Sequence, residues 1–321
     1  MALLVLTVPG SGFAQGRYNL ALTGASPGGL WSLLGAGINA AVVSQHPGSV
    51  VTYQTSGGGL ANVMLVSDGR VDLGIVHDVE LKVAVEGGVP FRQPVMNLRA
   101  ITYLYDWAPM QLVITRAFAD RYGIETMRDL ITTKAPVRMG VNTRGNMVQE
   151  LNRSILAAYG VTYEEVESWG GQVVFAASSE MANLMANRRI DMSSNGLFAP
   201  NNTILQSSNA VEVIMLPLDE EVIEIVSGIT GARAYTVPAG AYEWLDRDVS
   251  TIALGAELVV NETLPDEYAY DLARALMENI DSLRGVHGAM GDLTPEFMVS
   301  QSVIPYHPGA LRYYREVGLV D

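Results

Sequence analysis

From Tyr18 onward, short apolar runs alternate with longer segments whose apolar positions recur every three or four residues. "YNLALTG" reads as a strand, and Leu30 to Val43 as a helix with Leu33, Leu34, Ile38 and Val42 on one side. "SVVTYQT" is the next strand. In "LANVMLVSDG" the residues Leu60, Val63, Met64 and Ser67 follow the helical period. Val71 to Val76 is short and almost wholly apolar, as a strand covered on both faces should be. The opening region therefore predicts β-α-β-α-β, an open parallel sheet in an α/β fold.

Two strand-like stretches follow, "RAITYLY" and "MQLVITR", joined through Asp106-Trp107-Ala108-Pro109. With no helix between them, they predict a ribbon passing from one lobe to another. "APVRMGV" is then a strand, "NMVQELNRSILAAYG" a helix, and Gln172 to Arg188 a further helix. The segment Leu65 to Val76 matches Leu184 to Asn195: Arg70 corresponds to Arg189 and Asp72 to Asp191. Each copy follows a glycine turn that opens a helix, Gly57-Gly58-Gly59 in one case and Gly170-Gly171 in the other. Two lobes on one plan are expected. "TIALGAELVV" supplies another strand, Asp266 to Ile280 a long helix behind Pro265, and Pro308-Gly309 introduces a short last helix.

Composition narrows the function classes. The 321 residues are 49% apolar and 17% charged, enough to build real cores. Net charge is -14, and the only lysines are Lys82 and Lys134; no arginine stripe offers a footprint for nucleic acid. With no cysteine, disulfides, thiolate metal sites and thiol nucleophiles are excluded. The four histidines, 46, 77, 287 and 307, lack zinc-site spacing, so neither metal nor cofactor is expected. "MALLVLTVPGSGFAQG" (1–16) has an apolar run and a small-x-small ending, Gly12-Phe13-Ala14. It reads as the remnant of a signal peptide, which predicts export to the periplasm.

"ALTGASPGGLWSLLG" invites three chemistries. A P-loop needs Lys after its last glycine, and Leu30 stands there; no Tyr-x-x-x-Lys pair supports a dehydrogenase. Gly24-Ala25-Ser26-Pro27-Gly28 matches the G-x-S-x-G of an α/β hydrolase. Pro27, however, lacks the N–H that would form half of the oxyanion hole. The third chemistry is a ligand cradle, in which Gly24, Ala25, Ser26, Gly28, Gly29 and Leu30 bring backbone and a helix N-terminus to a small anion. Thr55, Ser56, Gly57 and Gly58 repeat that arrangement after the second strand. Both loops leave the carboxyl ends of parallel strands, where open α/β sheets bind ligands.

The motifs "LTGASPGGLWSLLGAGINA", "VVTYQTSGGGLANVMLVSDGRVDLGIVHD" and "IPYHPGALRYYRE" resemble the solute receptors of TRAP transporters, specifically the TAXI branch. The resemblance implies a type II periplasmic binding protein: two lobes, each a β-sheet flanked by helices, with a ligand cleft between them. It implies residues 17–106 plus 258–321 in lobe one and 107–257 in lobe two, with hinge strands near 105–110 and 255–258. It also implies a monomer without catalysis that captures an organic acid or amino acid, glutamate-like or another monocarboxylate, for a TRAP-type permease. An α/β hydrolase-like enzyme and a ligand-sensing module without transport are the alternatives.

Two departures from that family's pattern bear on the ligand. His77 stands where a glutamine is usual, and Asn142-Thr143-Arg144-Gly145-Asn146 replaces a Gly-Ser-Gly-Thr turn. His77 and Asp78 are expected to complete the lobe-one wall, with Arg144 as a two-pronged carboxylate partner. Trp169, Gly170, Gly171, Gln172, Asn195 and Phe198 are expected on the far wall. Asp78 would repel a second carboxylate unless His77 is protonated, which favours a monocarboxylate or amino acid over a dicarboxylate.

Overall fold

β1 (Asn19–Thr23), β2 (Val50–Gln54) and β3 (Leu73–His77) pair in parallel in the order β2-β1-β3. Helices Leu30–Gln45 and Gly59–Ser67 make the crossovers between them. The structure, a computed structural model, describes residues 17–25, 29–300 and 302–321. The expected leader 1–16 lies outside the described residues, as do Ser26, Pro27 and Gly28 of the first loop. β3 is buried along its whole length, in keeping with its almost wholly apolar sequence.

β4 (Leu98–Thr115) corrects one expectation: the two strands read around Asp106–Pro109 are a single strand. β5 (Arg138–Val141), β6 (Gln172–Phe175) and β7 (Met192–Gly196) pair in parallel in the order β6-β5-β7, repeating the plan of β2-β1-β3. β8 (Val213–Met215) adds to β4, and β9 (Arg233–Val237) adds to β10 (Val249–Asn261). β10 runs antiparallel to both β3 and β4, and β4 continues into the second sheet beside β7. The result is two α/β lobes, each with a central sheet flanked by helices, joined by the ribbon β4–β10.

The sequence repeat has a physical cause. Asp72 N donates to Ala21 O at 3.2 Å, and its Oδ2 accepts the Ala21 N–H at 2.7 Å. Asp191 does the same to Arg138, at 2.8 and 3.0 Å. In each lobe the aspartate pins the third strand to the first as the pairing begins. Gln172 to Arg188 is the second correction. Its first residues form β6, and the helix starts only at Ser178, running to Ala186. Val173, Val174 and Phe175 are β-branched or aromatic and fit a strand.

Candidate functional site

The lobes enclose a cavity of about 60 Å3, several times the space one water occupies. Its lobe-one wall is Ala25, Gly29, Leu30, Trp31 and His77, with Tyr105 of β4 beside it. The opposite wall is Asn142, Asn146, Val148, Ser178, Asn195, Gly196 and Leu197. Among the described residues that line it there is no Asp, Glu, Lys or Arg; His77 and Tyr105 are the ionisable side chains. Burial pushes the Tyr105 hydroxyl well above its usual range, so it stays protonated and accepts from Trp31 Nε1 at 2.9 Å.

Four helices direct their N-termini here. Gly29 and His77 are the N-caps of Leu30–Gln45 and Asp78–Glu86, and Asn146 is the N-cap of Met147–Ala158. Ser178 is the first residue of Ser178–Ala186. The partial positive charge of these termini favours an anion. Neither Gly29 nor Ala177 supplies a side-chain cap, which leaves first-turn N–H groups to seek another acceptor.

On the lobe-two wall the amides hold one another. Asn142 Nδ2 donates to Asn195 Oδ1 at 3.1 Å, and Asn195 Nδ2 to Ser178 Oγ at 2.7 Å. On lobe one, Glu80 stands behind His77. Its Oε2 lies 3.0 Å from both the backbone N and Nδ1 of His77, reaching back to the N-cap of that helix. The Glu80 carboxylate fills the space where a Cβ at residue 59 would stand, so any larger residue there would displace it. Gly58 has φ +113° and faces Asn146 across the cleft, whose Nδ2 would lie 3.3 Å from a Cβ there.

The structure therefore redistributes the expected site. Ala25, Gly29, Leu30, His77, Asn142, Asn146 and Asn195 do line the cavity. Gly24 and Ser56 do not: Ser56 Oγ lies 2.5 Å from Gly24 O and 2.6 Å from Asn62 Oδ1, tying the two loops together. Thr55 and Gly57 are exposed outside the cavity lining, and Gly58 meets Asn146 instead. Asp78 is turned away, its Oδ2 accepting from Tyr103 Oη at 3.1 Å with Arg233 Nη2 at 4.0 Å.

Thr143, Arg144 and Gly145 also stand off the lining; Arg144 is exposed and lies over the Phe175 ring, 3.6 Å from its centre. Trp169, Gly170, Gly171 and Gln172 precede or begin β6, where Gln172 pairs with Arg138 at the start of β5. The cleft lies at the other ends of these strands, beyond Val141 and Phe175. Phe198 is wholly buried and packs edge-on against Tyr105. Sequence reasoning missed Trp31, Tyr105, Val148, Ser178, Gly196, Leu197 and the supporting Glu80. "HDVE", a cap followed by Glu three residues on, was the available signal for Glu80.

Among the described residues no group of His, Asp and Glu is arranged to hold a metal ion, and no helix is long and apolar enough to cross a membrane. The fold is similar to that of MatC from Rhodopseudomonas palustris with bound malate. That match has a TM-score of 0.55 and 12% identity, over 87% of this chain and 90% of that one. PhnD1 from Prochlorococcus marinus, in complex with methylphosphonate, matches at 0.55 and 11%, over 94% and 99%. A binding protein component of a phosphonate ABC transporter from Pseudomonas aeruginosa matches at 0.51 and 11%, over 84% and 78%. At these identities the likeness is one of fold. In sequence, residues 22–318 match the NMT1-like family, and the chain belongs to that family.

Proposed function

We propose that this protein is an exported receptor, not an enzyme, which closes on a small organic anion and passes it to a membrane transporter. The observation that carries the reading is the convergence of four helix N-termini, from both lobes, on a cavity with no carboxylate among its described lining residues. An anion there meets backbone N–H groups, the His77 ring and the amides of Asn142 and Asn195. Leu30, Trp31, Val148 and Leu197 offer an apolar surface for a short carbon skeleton. The malate and methylphosphonate held by two proteins of similar fold are small anions too.

The small volume and the lack of a lysine or arginine on the wall favour a monocarboxylate over a dicarboxylate. The TAXI-like motifs support a TRAP-type permease as the partner. β4 and β10 form the hinge in this reading: their pairing shifts register between Leu254 and Glu257, beside Tyr105, where the ribbon leaves one lobe for the other. Ser178 is bonded to an amide and not to a base, which fits binding better than nucleophilic chemistry.

A thermal-shift screen of the purified protein against monocarboxylates, dicarboxylates and amino acids tests the reading. A ligand at a hundredfold excess over Kd adds about 2.7 kcal/mol of apparent stability. Small monocarboxylates should give the largest shifts. A dicarboxylate as the sole strong hit contradicts the ligand class, and turnover of a hit contradicts the receptor reading.

A further inference from the structure

Resting on that receptor reading, we propose that Glu80 is a positioning residue that commits His77 to meet the ligand's anionic group through Nε2 as an imidazolium. The protein then binds ligand and one proton together. Glu80 is 1% exposed and reaches His77 from the next turn of the same helix. An ionised carboxylate only accepts hydrogen bonds, so His77 Nδ1, 3.0 Å from Glu80 Oε2, must be the donor. Nε2 meets no hydrogen-bond partner among the described residues, and the ring lines the cavity, tilted by 43° against Trp31 with the ring centres 4.6 Å apart.

A neutral ring with its proton on Nδ1 presents a lone pair at Nε2, which repels a carboxylate oxygen. One proton taken from solvent onto Nε2 converts that lone pair into a donor for a charge-assisted bond. The same proton gives the buried Glu80 carboxylate a cationic partner; its only ion pair among the described residues is with His77. The surrounding groups do not compete for this role. Asp78, on the same helix, is bonded to Tyr103. Trp31 and the protonated Tyr105 are uncharged, and the β10 residue opposite His77 is Ala256. Helix Gly59–Ser67 approaches Glu80 through its glycine.

Two measurements with pyruvate as the probe decide the matter. Nitrogen NMR of 15N-histidine-labelled protein, with only four histidines to assign, should find His77 as the Nδ1–H tautomer when free and as imidazolium when saturated with pyruvate. Calorimetry at pH 8 in phosphate and in Tris should give heats that differ by the uptake of up to one proton per site. Glu80→Gln keeps an acceptor but removes the charge. It should weaken pyruvate binding about tenfold at pH 8 and much less at pH 5.5, where a purely structural role would weaken both equally. If that variant does not fold, the wild-type NMR and two-buffer heats still decide. Pyruvate binding with no buffer dependence and a neutral His77 overturns the proposal while leaving the receptor reading intact. Failure of pyruvate and every other small monocarboxylate to bind overturns both.

Discussion

Glu80 and Gly59 share one space: the carboxylate that holds His77 sits where any larger residue at position 59 would place its Cβ. The third glycine of "TSGGG" thus serves the protein's own carboxylate. Gly59→Ala should push Glu80 away from His77, with an overpacking cost of roughly 1–3 kcal/mol. Urea denaturation measures the loss of stability, and titration with pyruvate the accompanying loss of affinity. An alanine variant equal to wild type in both would contradict the assignment.

Asn195 lines the cavity and bonds both Asn142 and Ser178. Asn195→Asp preserves its shape and adds a negative charge to a wall that has none. At an effective dielectric near 20, two like charges about 5 Å apart repel by roughly 3 kcal/mol, a loss of more than a hundredfold in affinity. Calorimetric titration with a small monocarboxylate at pH 7.5 checks this. Unchanged affinity would place the anionic group elsewhere.

Arg144, the one arginine in a glycine-rich loop, is exposed and lies over the Phe175 ring. Arg144→Ala should cost about 0.5–1 kcal/mol of stability through the lost ring contact and leave anion affinity within about twofold. A tenfold or greater loss of affinity would return Arg144 to the binding site.

Glu257 is fully buried in β10, and burial raises its pKa from 4.5 to about 7, outweighing the bonds from Ser302 Oγ and Val303 N. Ser302 Oγ is 2.5 Å from both the Glu257 carboxylate and Ile304 O, yet has a single proton to give. A protonated Glu257 satisfies both. Because the folded pKa is the higher one, the folded state binds the extra proton between pH 4.5 and 7, and stability falls as pH rises through that window. The full destabilisation, about 3 kcal/mol, is present above pH 7. Glu257→Gln should match wild type near pH 4.5 and melt at a higher temperature at pH 8. Parallel melting curves across this range would remove the buried carboxylate from the account.

The lobe-one alternation was legible because each element carries its own period and its own turn residues. The second lobe was legible through Asp72 and Asp191, since the pairing of the third strand to the first imposes the same residue twice. β6 was not. Val173, Val174 and Phe175 are too few to set a period, and Ala176-Ala177 marks no break before the helix. That single misreading moved the expected site to Trp169–Gln172, at the far end of the sheet, and hid Ser178 at the near end. Trp31 and Tyr105 were hidden for another reason: they are more than nine-tenths buried, and sequence does not distinguish an aromatic that lines a cavity from one that fills a core.

The central claim is that the cleft reads the negative charge of a small ligand through helix termini and His77. Calorimetric titration of the protein with pyruvate and with pyruvamide, its uncharged isostere, tests it most directly. The account predicts one-to-one binding of the acid and at least a hundredfold weaker binding of the amide, a difference of about 2.7 kcal/mol or more. Equal affinity for the two would contradict it.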